Sequence, residues 1–293
     1  MGIAIPQVIT NRSGAQIIDG SLKFDQGKTQ HLTRTPSSDG NKRTWTWSGW
    51  VKPAAGALGD ASGSALFAAY SDSNYRDVLR FGGTSTDRVN FQHRRNGTNY
   101  GGYTNAKLRD YGGSGWYHIV LVWNDAATIY VNGVEQSLSA EAGGLTDADN
   151  GQINNDRIHY IGARSSSGSA EAAWDGQISQ VNFVDGQALG PEYFGFTDPL
   201  TNTWKPKKFD ISETSSGSWG TNGFYLPMDG NSPIGKDQSG NGNDWTPVNF
   251  GGSVELDSPL VTGARPILNT TPGGTQAGVG VFGSKQNVGY AVT

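Results

Sequence analysis

Thr44-Trp-Thr-Trp-Ser-Gly-Trp-Val-Lys52 alternates along its length and stops at Pro53. Successive side chains leave a pleated strand on opposite faces, so this period of two marks a strand. Trp45, Trp47, Gly49 and Val51 share one face; Thr46, Ser48 and Trp50 share the other. A second stretch, Gly115-Trp-Tyr-His-Ile-Val-Leu-Val-Trp123, is almost continuously apolar, as expected of a strand covered on both faces. It turns at Asn124-Asp-Ala-Ala127 and returns through Thr128-Ile-Tyr-Val-Asn-Gly133. The pair Asn132-Gly133 is a type I′ turn signal.

Shorter strands surround these two. Ser21-Leu-Lys-Phe-Asp25, Ala65–Tyr70, Asp77–Phe81, Arg88–His93 and Arg157–Gly162 are each bounded by Gly, Ser, Asp or Asn. Asn96–Asn105 carries Tyr100 and Tyr103 among glycines and reads as a loop or weak strand. Gly176–Val184 alternates imperfectly, which predicts a β-bulge. Gly190-Pro-Glu-Tyr-Phe194 reads as one helical turn with Pro191 near its start. Pro227 confines Phe224–Met228 to a sheet edge. With 43 Gly and 12 Pro in 293 residues, a mostly helical chain is excluded. The expectation is an all-β, two-sheet antiparallel jelly-roll sandwich over residues 21–196. Trp47, Trp50, Ile119, Leu121, Ile129, Val131 and Ile161 are expected in its interior.

The flanks read differently. Residues 1–20 are expected to form an N-terminal arm, with Ile3, Ile5, Val8 and Ile9 needing a partner. Residues 197–250 read as a linker and edge-strand segment, and 251–293 as an extended Gly-rich arm. Both ends are expected to gain order from neighbouring chains in a homo-oligomer. Gly289-Tyr-Ala-Val-Thr293 stops within a strand pattern, so the natural chain is expected to continue.

Composition narrows function. The net charge of −4 implies no general nucleic-acid binding. The absence of cysteine removes disulfides and thiol chemistry. No apolar run is long enough to insert in a membrane, and Met1–Asn11 lacks the order of a signal peptide. Release in a lysed-out virus particle is one extracellular route that needs no such signal.

The stretches Thr44–Pro53, Gly115–Val134, Ile161-Gly162 and Trp174–Val181 together resemble laminin-G-like, concanavalin-A-like jelly-roll domains. Phe183-Val-Asp-Gly-Gln-Ala-Leu189, Trp204-Lys-Pro-Lys-Lys208, Gly220–Leu226, Asp237–Pro247 and Leu256–Leu268 resemble segments of tailed-bacteriophage structural proteins. The resemblance implies a virion component bound to other virion proteins, located on the extracellular particle. A tail fibre or particle-anchored fibre touching host-surface glycan, with trimers favoured, is the first reading. A head decoration protein bound to capsid and a polysaccharide-degrading enzyme are the alternatives.

The residues point away from the enzyme. Glycoside hydrolysis takes two facing carboxylates, and none of the six Glu falls in the Glu-x-Asp-x-Glu pattern of glucanase relatives. His118 reads as a hydrogen-bonded core or interface histidine, or else as a catalytic or metal-binding one. Asp72, Asn74 and Tyr75, with Tyr100 and Tyr103, are candidate glycan-binding residues; Trp219 is a further candidate ring. Asp237, Ser239, Asn241 and Asp244, with Asn243, offer oxygens that suit calcium, or a turn that hydrogen-bonds itself. The loop through Asp147, Asp149 and Asp156 is a second metal candidate. The basic cluster Lys205, Lys207 and Lys208 reads as a solvated linker.

Overall fold

The computed structural model describes residues 16–18, 20–54, 57, 64–83, 86–108, 115–146 and 151–250, with the backbone of 257–260 and 263–266. The expectations for Ile3 to Ile9, for Asp147 and Asp149, and for most of 251–293 lie outside these residues.

The first strands are β1 (Leu22–Phe24), β2 (His31–Arg34), β3 (Thr44–Pro53), β4 (Ser64–Asp72), β5 (Tyr75–Phe81), β6 (Val89–Arg95) and β7 (Thr98–Thr104). Then come β8 (Tyr117–Asn124), β9 (Ala127–Val131), β10 (Val134–Glu135), β11 (Leu138–Ala140), β12 (Ile158–Ile161), β13 (Arg164–Ser165), β14 (Ala170–Glu171) and β15 (Gly176–Asp185). The last are β16 (Gly195–Asp198), β17 (Thr203–Pro206), β18 (Phe224–Leu226), β19 (Thr246–Val248), and a hairpin of β20 (Asp257–Leu260) and β21 (Gly263–Pro266). Two large antiparallel sheets result. One is seven-stranded, ordered β1-β15-β3-β8-β9-β10 with β18 also on β15; the other is eight-stranded, ordered β11-β7-β6-β5-β4-β12-β2-β19. They form the all-β sandwich that the alternation predicts. Pro191–Tyr193 is a single 3-10 turn.

The inner faces make one aromatic core. Trp45, Trp47, Trp123, Phe67, Phe81, Phe91 and Phe183 are all buried there with Ile119, Leu121, Ile129, Val131 and Ile161. Gly49 lies on the same face for want of room: a Cβ there would sit 2.7 Å from the Trp47 ring. Trp50 is buried too, but on the outer face, clustered with Ile18 and Trp116. The bulge in β15 falls between Ser179 and Asn182, where Gln180 takes a positive φ of 54°. Asn132 and Gly133 both have positive φ, 49° and 79°, as a type I′ turn requires.

Asn96–Asn105 is corrected from loop or weak strand to a full strand. Asn96 and Gly97, at φ 46° and 78°, turn β6 into β7, and β7 pairs with β6 from Thr98 to Tyr103. The glycines Gly101 and Gly102 suppress the side-chain signal without preventing the ladder.

Candidate functional site

The outer face of the seven-stranded sheet is covered by the chain's own residues 187–225. The cover begins with a sheet residue. Thr46 Oγ1 donates to Gln187 O at 2.8 Å and accepts the Leu189 N–H at 2.8 Å. Leu189 and Phe194 then pack on Val120, Val122 and Val184, with Phe209, Ile211 and Trp219 at their edge. This second apolar layer leaves a concavity of about 70 Å³ against the sheet. At roughly 10–15 Å³ per water on this measure, it holds a few waters or the edge of one sugar ring.

Its floor is polar. Tyr225, Asn182 and Ser48 lie side by side on β18, β15 and β3. His118 sits beside Ser48 and determines its role. Trp204 donates its indole N–H to His118 Nδ1 at 3.0 Å, and a Trp nitrogen can only donate. The histidine proton is therefore on Nε2, which donates to Ser48 Oγ at 2.9 Å. The Ser48 hydroxyl, which lines the concavity, keeps its own proton to donate. Full burial pushes the His118 imidazole down to about 3, so it stays neutral at pH 7. Its ring lies against Trp50, with centroids 4.9 Å apart.

Asn182 Nδ2 donates to Gln180 O, while its buried Oδ1 has no partner among the described residues. Gln180 Oε1 accepts from Tyr225 Oη at 2.6 Å and from Gln16 Nε2 at 2.8 Å. Burial pushes the Tyr225 phenol up to about 12, so it remains a donor. The walls are rings: Trp219 stacks on Tyr225 at 6.3 Å, and Phe194 on Phe209 at 4.7 Å. Lys207 and Lys208 complete the lining, which contains no Asp or Glu among the described residues. The site offers aromatic faces, a serine hydroxyl, an amide acceptor and the Lys208 ammonium, while the Lys207 ammonium lies 3.4 Å from Glu192 O and 3.7 Å from the Glu213 carboxylate. Among the described residues its lining lacks the two carboxylates of glycosidic bond cleavage.

The basic cluster is thus no solvated linker. Lys207 and Lys208 line the concavity, and Lys205 is buried in an ion pair with Asp198. Sequence reasoning missed Ser48, His118 and Asn182 as a unit because three distant strands bring them together. Trp219, chosen as an isolated ring in a Ser- and Gly-rich segment, is in the wall.

The other candidate glycan residues do not converge here. Asp72, Asn74 and Tyr75 form the turn between β4 and β5, and Asp72 Oδ1 accepts the N–H groups of Asn74 and Tyr75 at 2.8 and 3.1 Å. The Tyr75 hydroxyl donates to the Asn96 side chain. Tyr100 and Tyr103 are three apart on a strand and therefore face opposite ways. Tyr100 points inward toward His93, with centroids 6.3 Å apart. Tyr103 is on the outer face, with the Arg88 guanidinium 5.9 Å from its ring centre.

Asp237, Ser239, Asn241 and Asp244 do share one loop, but their arrangement does not fit calcium. Asp237 Oδ1 accepts from Tyr225 N and Ser239 N, and Oδ2 from Ser239 Oγ and Asn243 N, all at 2.8–2.9 Å. Asp244 Oδ1 accepts from Asp237 N and Oδ2 from Lys236 Nζ. Asn241 Nδ2 and Asn243 Nδ2 both donate to Gly223 O. A hard cation needs six or more converging oxygens; here the carboxylate oxygens face the chain's own donors. The loop staples 237–244 onto 220–225.

A family model described as the concanavalin A-like lectin/glucanases superfamily matches residues 24–192. No curated protein matches the sequence. Among solved structures, a candidate carbohydrate binding protein from Bacteroides ovatus is similar at 17% identity and TM-score 0.50. The alignment covers 82% of this chain and 60% of that one. Domain 4 of an extracellular arabinanase from Geobacillus stearothermophilus, solved with arabinotriose, is similar at 21% identity and TM-score 0.44, covering 60% and 77%. A heptameric pentraxin from Limulus polyphemus is similar at 18% identity and TM-score 0.41, covering 59% and 77%. At these identities the likeness is one of fold.

Proposed function

We propose that this chain, which belongs to the concanavalin A-like lectin/glucanase superfamily, is a non-catalytic glycan-binding module. The carrying observation is the concavity over Ser48 and Asn182: ring faces, a serine hydroxyl, an unpartnered amide oxygen, and no Asp or Glu among the described lining residues. Stacking on Trp219 and Tyr225 would hold a sugar face while Ser48 and Asn182 Oδ1 read its hydroxyls. The Bacteroides ovatus neighbour, described as a candidate carbohydrate binder, supports this reading.

The finer reading places the module on a bacteriophage particle. There it would be a homotrimeric fibre component bound to other virion proteins and contacting host-surface glycan. The phage-like segments at Phe183–Leu189, Trp204–Lys208 and Asp237–Pro247 support it.

The test is a screen of bacterial surface saccharides against the protein and its Trp219→Ala and Asn182→Ala variants. Binding should weaken about tenfold or more in each, with no new reducing ends from the wild type. Turnover that disappears when one Asp or Glu is replaced would sink the non-catalytic reading. Labelling of intact particles should place the chain on a tail appendage; a label following the capsid lattice would favour the decoration protein.

A further inference from the structure

Asn-Gly pairs recur along this chain: Asn96-Gly97, Asn132-Gly133, Asn150-Gly151, Asn222-Gly223 and Asn241-Gly242. Such a pair carries chemistry of its own. Glycine has no Cβ to shield its nitrogen, so that nitrogen can attack the side-chain amide carbon of the asparagine before it. Asn150 lies outside the described residues; the other four can be compared within one fold.

Three of the four are held. Asn222 is 3% exposed, and its Nδ2 donates to Ser38 O at 2.9 Å. Asn241 Nδ2 donates to Gly220 O and Gly223 O at 2.8 and 3.0 Å. Asn132 Oδ1 accepts the His118 N–H at 2.8 Å, and the Asn132 N–H donates back to His118 O at 2.8 Å. Gly133 is covered as well: a Cβ there would sit 2.3 Å from the Trp204 ring. In each case the amide that must swing onto the next nitrogen is tied to a backbone that cannot follow it.

Asn96 differs. It is exposed in the two-residue turn between β6 and β7, with positive φ at both Asn96 and Gly97. Its side chain is bonded to another side chain: the Tyr75 hydroxyl donates to Asn96 Oδ1. That bond draws electrons away from the amide carbon, and a phenol can follow the oxygen as it becomes an oxyanion. Tyr75 is itself placed by the β4–β5 turn, where Asp72 Oδ1 accepts its N–H at 3.1 Å. The attacking nitrogen is lightly held, since the Gly97 N–H donates to Asn74 O only at 3.3 Å.

We propose that Asn96 is a self-modification site, with Gly97 as its nucleophile and Tyr75 as the donor to its reacting carbonyl. The Gly97 nitrogen bonds to Asn96 Cγ, its proton passes through water to Nδ2, the Cγ–Nδ2 bond breaks, and ammonia leaves. Water then opens the cyclic succinimide to an aspartate or an isoaspartate, with no change of oxidation state. Either product places a carboxylate beside Arg94 and Arg95. The isoaspartate also lengthens the backbone of a turn built for two residues, and so releases the β6–β7 turn from Tyr75 and the β4–β5 turn.

The experiment is storage of the full chain in mildly alkaline buffer made with heavy-oxygen water, followed by peptide mapping with mass spectrometry. Asn96 should convert at least tenfold faster than Asn132, Asn222 and Asn241, with labelled oxygen in both product isomers. In denaturant the four rates should converge, because only the fold separates them. Tyr75→Phe should slow Asn96 threefold or more, while continued protection of Asn132 and Asn222 shows that variant to be folded. Asn132, Asn222 or Asn241 keeping pace with Asn96 in the folded chain would overturn the proposal. So would Asn96 staying intact as long as those three. A Tyr75→Phe variant converting as fast as wild type would overturn the role given to Tyr75.

Discussion

One outer face of the sandwich is roofed by residues 187–225; on the other, Ala163 and Ala170 pack on Ala65, Ala68 and Val78 beside a group of buried and half-buried arginines. On the seven-stranded sheet, Val120, Val122 and Val184 are covered by Leu189 and Phe194, and the buried His118 has both ring nitrogens bonded. On the eight-stranded sheet, Arg76 faces Arg94 across the strands, and its buried Nε has no partner among the described residues. The first arrangement is what stability selects. The second carries a like-charge repulsion that stability alone does not favour.

The strongest test of this contrast is to strip the roof. Phe194 is 3% exposed and stacks on Phe209. Phe194→Ala should cost about 3–5 kcal/mol, the same class of loss as a large truncation in the central core. Denaturant unfolding measures it. A loss below about 1 kcal/mol would mean that residues 187–225 are a detachable flap and the two faces are alike.

The roof is pinned at its far end by Asp237, which accepts four hydrogen bonds. Asp237→Ala leaves buried donors without an acceptor and should cost roughly 3 kcal/mol. A chelator should leave the melting temperature unchanged. A drop of several degrees on adding it would restore a cation to the loop.

The contrast also has a pH signature. His118 and His159 are buried, their folded values pushed down from 6.5 to about 3 and about 4 by desolvation. His159 Nε2 accepts the Asn154 N–H, which holds it neutral. The unfolded chain takes up these protons first. The stability they allow is complete above pH 6.5 and is lost as pH falls toward 4 and 3. At pH 4.5 each should have cost about 2–3 kcal/mol. His118→Gln should flatten the pH dependence of unfolding between 6 and 4.5 by close to one proton. An unchanged slope would mean that water reaches the ring beneath the roof.

These residues also show what a sequence can yield. Trp45, Trp47 and Val51 are legible because alternation carries inner-face burial within one strand, and Asn132-Gly133 because two positive φ values demand such residues. Tyr100 and Tyr103 were read together because glycines hid the strand that separates them. Trp204 and His118, 86 positions apart, meet through a Trp-Lys-Pro run with no periodicity to announce it. Asp237 reads in sequence equally as a cation ligand or a turn residue; the four donors around its carboxylate decide for the turn. The arginine cluster is illegible for a simpler reason. Arg76, Arg80, Arg94 and Arg164 become neighbours only once three strands and a hairpin are in register.

The smallest effect is expected on the arginine-bearing face, where it is most diagnostic. Arg94→Gln removes two exposed or half-exposed hydrogen bonds, to Ser73 O and Asn99 Oδ1, each contributing little. It also removes the repulsion on Arg76. The two effects oppose, so stability should stay within about 0.5 kcal/mol of wild type. Salt separates them. Raising ionic strength shortens the screening length below the spacing of the guanidiniums. It should therefore stabilise the wild type by a few tenths of a kcal/mol more than the variant. A loss above 1 kcal/mol at any salt would make Arg94 a staple of the β4–β5 turn, and the cationic face would then be as structural as the roofed one.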